Sequence, residues 1–92
     1  MYHLKFTTAF KKHYKLMKKR GYDMDLLDNV IDILRQGKKL DPKYKDHPLK
    51  GDFSDFRECH ILSDWLLIYR IDGDILILTL SDTGTHSDLL GI

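Results

Sequence analysis

The chain has little of what holds secreted or membrane proteins together. Cys59 is its single cysteine, so no internal disulfide can form, which fits a reducing compartment. No apolar stretch approaches the about 20 residues of a membrane span. The opening Met1-Tyr2-His3-Leu4-Lys5-Phe6 lacks the apolar run of a signal peptide. A cytoplasmic protein without a membrane partner is therefore expected. Phosphate-loop and dinucleotide glycine patterns are missing too, which argues against a small-molecule cofactor. Acidic residues are absent from Lys5 to Arg20, where seven basic residues stand. Lysine and arginine are absent from Ile71 onward, where Asp72, Asp74, Asp82 and Asp88 fall. A net charge of +1 hides this asymmetry, and the basic half is a surface that attracts polyanions.

What remains is an ordinary globular composition, 42% hydrophobic and 32% charged over 92 residues. That length predicts one domain over residues 1–92 with one modest core. Tyr2–Phe6 alternates in character and predicts a first strand. Thr7 or Thr8 can cap a helix whose Phe10, Tyr14 and Met17 share one face, with Gly21 to end it. Asp23 can cap a second helix, in which Leu27, Val30, Ile31 and Leu34 keep helical spacing up to Gly37.

Residues 38–54 hold both prolines and read as a long, irregular connection. The period then changes to two, predicting strands over Asp55–Ile61, Trp65–Ile71 and Asp74–Leu80, with a tight hairpin at Asp72-Gly73. Thr83-Gly84-Thr85 should break the last strand, and Leu89-Leu90 should pack the tail back. The expected fold is α+β: an N-terminal strand, a two-helix antiparallel hairpin and a three-stranded antiparallel meander, with the helices on one face.

Three histidines, His47, His60 and His86, fall on the connection, at a strand end and after the last strand. Asp64 lies just beyond a turn, and Trp65 is the only tryptophan. Histidine changes charge near neutral pH, so such a set suits proton transfer. RNA cleavage by its own 2′-hydroxyl needs a base, an acid and positive charge on the phosphate, and no metal. Trp65 or Tyr69 can offer a ring for base stacking. Each residue also has a plainer role. His47 can organise a turn, His60 can bond to backbone, Asp64 can be a turn residue, and Trp65 can be core. His3 and His13 read as ordinary surface or packing residues. Metal spacings such as His-x-His, His-Glu-x-x-His or a cysteine pair are missing, so no metal site is expected.

Four blocks carry a resemblance: Tyr44-Lys45-Asp46-His47-Pro48-Leu49-Lys50-Gly51, Phe56-Arg57-Glu58-Cys59-His60, Asp64-Trp65-Leu66-Leu67-Ile68-Tyr69 and Thr83-Gly84-Thr85-His86-Ser87-Asp88-Leu89. In this order they resemble the YafQ branch of the RelE/ParE toxin superfamily. The resemblance implies the toxin half of a type II toxin–antitoxin pair, a ribosome-dependent messenger-RNA endonuclease with a RelE-like fold. Its partners would be a cognate antitoxin, mRNA and the ribosomal decoding site.

Position by position, the resemblance makes His47, His60, Asp64 and His86 catalytic. His86 would be the general acid, Asp64 with His60 would take the 2′-hydroxyl proton, and His47 would hold the phosphate. Trp65, Lys50, Arg57 and Lys45 would lie against the substrate. Two positions depart from the family. Asp82 stands where an arginine often stabilises the phosphate, and Leu90 replaces a phenylalanine. Lys50, Arg57 or Arg70 would have to supply the lost charge. A carboxylate at position 82 close to His86 would favour that ring's protonated form. The runner-up is a module of the same fold that binds antitoxin, RNA or ribosome without cutting.

Overall fold

The computed structural model describes residues 1–73, 77–86 and 89. Strand β1 (His3–Phe6) leads into helices α1 (Thr8–Lys19) and α2 (Met24–Arg35). Thr7 Oγ1 accepts from Phe10 N–H at 3.0 Å and Asp23 Oδ1 from Asp25 N–H at 3.1 Å, so both expected caps form. Gly21 and Gly37 take φ of +88° and +76° just past the helix ends, a region that favours glycine. The sheet continues with β2 (His47–Pro48), β3 (Arg57–Leu62), β4 (Trp65–Asp72) and β5 (Ile77–Gly84).

Sheet order is β1-β5-β4-β3-β2, with β1 parallel to β5 and every other pair antiparallel. Both helices cover one face. Phe10 and Met17 of α1 and Leu27, Val30, Ile31 and Leu34 of α2 meet Cys59, Ile61, Trp65, Leu67, Tyr69 and Leu80 in a single core. The helix hairpin, the meander and the one-sided packing are as the periodicity predicts.

Two boundaries differ. Residues 38–54 are not wholly irregular: two short 3-10 turns, Pro42–Tyr44 and Gly51–Phe53, flank β2, which adds a fourth antiparallel strand. Two residues are too few to leave a periodic signal, and Pro48 sits on the sheet's outer edge, where a missing N–H costs no ladder bond. The last strand is not broken at Thr83. It runs on to Gly84, because a register shift opposite Ile68 and Tyr69 re-phases the ladder and pairs Asp82, Thr83 and Gly84 with Ile68, Leu67 and Leu66. Residues 74–76, on which the expected start of that strand falls, lie outside the described residues, as does Leu90. The expected two-residue turn at Asp72-Gly73 also differs: Asp72 is the last residue of β4 and pairs with Ile77, so residues 73–76 make the connection.

Candidate active site

Strand alternation decides what faces the site. Arg57, Cys59 and Ile61 belong to the face that packs on the helices; Glu58 and His60 belong to the other. His47 pairs across the ladder with Glu58, which brings the β2 histidine alongside. The result is a group the spacing rules miss. Glu58 Oε1 lies 3.7 Å from His47 Nε2 and 3.6 Å from His60 Nε2. The remaining ring nitrogens are anchored to backbone: His47 Nδ1–H donates to Pro48 O at 3.1 Å, and His60 Nδ1 stands 3.4 Å from Ser63 O. Glu58 itself is largely buried, with 14% of its side chain exposed.

The β3–β4 hairpin closes through Ser63 and Asp64, so Asp64 projects from its tip. There its Oδ1 accepts twice from His86, from the backbone N–H at 3.1 Å and from ring Nδ1–H. With Nδ1 committed to the carboxylate, Nε2 is the ring nitrogen pointing away from Asp64. His86 follows directly on β5, and Leu89 N–H donates to Thr85 O at 3.1 Å, the bond of a helical turn. The rings of His60 and His86 lie 6.0 Å apart, centroid to centroid. All three histidines and Asp64 therefore converge at one end of the meander.

The expected substrate-contact residues fare differently. Trp65 is fully buried, edge-on to Tyr22 at 5.1 Å, and its Nε1–H donates to Thr83 Oγ1 at 3.0 Å. Thr83 Oγ1–H in turn donates a hydrogen bond to Leu66 O at 2.8 Å. Trp65 thus pins β4 to β5 inside the core, and its ring is not available to a base. Tyr69 is buried as well. Its hydroxyl donates to Asp46 at 2.6 Å, and burial followed by that bond holds the phenol well above its ordinary range.

Asp46 also takes Arg57 Nε–H at 3.2 Å. Burial works against the Arg57 charge, but the bonds and charges of Asp46 and Tyr69 together outweigh it and raise the pKa. Arg57 and Lys45 line a cleft with Lys39, Leu40, Asp41, Pro42 and Asp46. Arg57 lies on the face opposite His60, so neither residue is gathered with the histidines. Lys50 is exposed on the loop after β2.

Asp82 is not the partner of His86. His13 Nδ1–H of α1 donates to it at 2.6 Å, and the Thr83 N–H donates at 2.9 Å. His13 therefore packs as the partner of the departing residue at position 82 rather than standing as an ordinary surface residue. Among the described residues, His47, Glu58 and His60 are the group whose donor atoms, all within 4.8 Å of one another, can hold a metal ion. Spacing misses it because its ligands come from two strands.

Residues 2–91 match the family of bacterial toxins of type II toxin–antitoxin systems, YafQ. The mRNA interferase toxin YafQ of Escherichia coli strain K12 is 35% identical over 89 residues, 96% of this chain and 95% of its own length. A metal-bound toxin from Helicobacter pylori superposes with a TM-score of 0.91 at 44% identity, covering 97% of this chain and 99% of that one. The E. coli DinJ–YafQ complex matches with a TM-score of 0.90 at 34% identity, covering 99% and 100%. Four motif blocks, the fold and the gathered histidines agree with these likenesses, and the chain belongs to the YafQ family of bacterial toxins of type II toxin–antitoxin systems.

Proposed function

We propose that this chain is an mRNA interferase that cuts messages in the ribosomal decoding site, in the cytoplasm, and is silenced by a cognate antitoxin. The observation that carries the reading is His86, fixed by Asp64 and facing His60 at 6.0 Å. Two imidazoles at that separation can reach opposite oxygens of one phosphodiester. His60, backed by Glu58, takes the proton from the 2′-hydroxyl, whose oxygen attacks phosphorus. His86 Nε2–H protonates the departing 5′-oxygen, leaving a 2′,3′-cyclic phosphate and a 5′-hydroxyl. Asp64 orients the acid, as the aspartate of a catalytic triad orients its histidine, by accepting from both the ring and the backbone of His86. His47, 48% exposed, meets the phosphate. Induced expression in a bacterial host tests this. Growth arrest with new message ends inside translated codons, lost in His86→Ala, is expected. Normal growth with intact messages and folded protein would favour a non-cleaving module.

The donor set of His47, Glu58 and His60 supports a second reading of the same pocket. Two imidazoles and a carboxylate suit a divalent ion such as Zn²⁺, with one position left open. The H. pylori relative described as metal-bound adds to it. An ion seated there would occupy the base and the phosphate contact, so we expect added zinc to inhibit cleavage and His47→Ala to weaken that inhibition.

A further inference from the structure

Among the described residues Phe53 is the most exposed aromatic, at 63%, and nothing in the acid–base chemistry uses it. It sits on the 3-10 turn Gly51–Phe53. Its ring stands edge-to-face against Phe56, centroids 6.5 Å apart and planes at 63°. The Arg70 guanidinium covers Phe56 at 5.6 Å. Arg70 is steadied by Asp72, though loosely: Nη2 lies 3.5 Å from Oδ2, and Nε, 3.4 Å from Oδ1, makes no hydrogen bond. Phe56 is thus fixed between Arg70 and Phe53, while Phe53 keeps its own ring towards solvent.

The turn is tied to the strands that carry the site. Phe56 N–H donates to Phe53 O at 2.9 Å, and Leu49 N–H donates to Phe56 O at 2.9 Å. Phe56, Glu58 and His60 alternate along one face, so Phe56 stands about 7 Å from Glu58, close to the span of one extended nucleotide.

We infer that Phe53, propped by Phe56 and Arg70, is a stacking platform for a base of single-stranded RNA flanking the scissile phosphate. The inference rests on the nuclease reading of the histidine site and names a subsite beside it. Cations do not dominate the chain around the platform, where Lys50 and Arg70 stand against Asp52, Asp55 and Asp72. The contact is therefore stacking rather than phosphate binding. Stacking tolerates any base and carries no salt dependence of its own, whereas a phosphate contact steepens the dependence of affinity on salt.

Short RNA oligonucleotides, each with one abasic position, are titrated into the His86→Ala chain and into that chain carrying Phe53→Ala or Phe53→Trp. In the Phe53-containing chain, one abasic position outside the scissile pair should weaken binding about 5- to 100-fold, the usual yield of one base on one ring. Phe53→Ala should erase that sensitivity with an unchanged salt slope, and Phe53→Trp should keep it. Equal sensitivity with and without Phe53, a salt slope that falls on Phe53→Ala, or no binding of any oligonucleotide overturns the platform. An intact platform with no cleavage by the wild-type chain would instead overturn the nuclease reading. Loss of antitoxin binding in Phe53→Ala with RNA binding intact would reassign the ring to a protein contact.

Discussion

Breaking the His13–Asp82 pair should destabilise the protein rather than abolish its chemistry. Asp82 accepts one bond from the α1 imidazole at 2.6 Å and one from the Thr83 backbone at 2.9 Å. A hydrogen bond to a charged group contributes about 1.5–3 kcal/mol. Both side chains are partly exposed, 21% and 24%, and solvent screening reduces the figure to about 1–2 kcal/mol. In a domain of this length each kcal/mol moves the melting temperature by about 4–8 °C. Asp82→Ala should therefore lower Tm by roughly 4–16 °C. A double-mutant cycle with His13→Ala, followed by urea unfolding, should give a coupling of about 1 kcal/mol. Asp82→Arg, which sets a cation against His13, should be less stable than Asp82→Ala and cleave no faster. A coupling within about 0.3 kcal/mol of zero, or an Asp82→Arg chain that is more stable and more active, would refute the assignment.

Trp65→Phe removes the donor to Thr83 and part of a buried ring, so unfolding in urea should show a loss of about 2–4 kcal/mol, with the cleavage rate of the folded fraction unchanged. A rate defect at full stability would return Trp65 to the substrate site. Asp64→Asn should reduce the cleavage rate by about 10³-fold or more, by analogy with the aspartate of a serine-protease triad. The melting temperature should barely move, because the Asp64 side chain is 64% exposed. Alkali should destabilise the fold. Burial pushes the Cys59 thiol up to about 12, and burial with the Asp28 bond pushes Tyr14 to about 12. The folded chain keeps these protons after the unfolded chain has lost its own, so stability falls as pH rises from about 9 to 12. The loss between about pH 8 and pH 11 should be roughly 2–4 kcal/mol, read from urea midpoints; a flat profile would contradict the burial.

Local burial made much of this fold legible. Helical spacing in Leu27, Val30, Ile31 and Leu34 and the alternation expected over Asp55–Ile61 each arise within one element; the helix forms where the pattern places it, and the strand runs slightly later, over Arg57–Leu62. Contacts between distant segments were not legible. His13 and Asp82 are 69 positions apart, and no single-chain pattern couples them. Glu58 becomes the hub of two histidines only once β2 pairs with β3. The resemblance sets Trp65 against the substrate, whereas its place at the head of the apolar run Trp65, Leu66 and Leu67 favours the core, where it packs. The structure buries all three, with Leu66 on the side away from the helices. The continuation of β5 through Asp82–Gly84 depended on a register shift that alternation alone does not announce.

The most direct test is the chemistry of the ends this protein leaves on ribosome-bound message, with a chelator of transition metals that leaves Mg²⁺ in place. Metal-free transfer of protons by His60 and His86 predicts 5′-hydroxyl and 2′,3′-cyclic phosphate ends, formed at an undiminished rate in the chelator and lost in His86→Ala. Ends bearing 5′-phosphate, or cleavage that stops in the chelator, would contradict it.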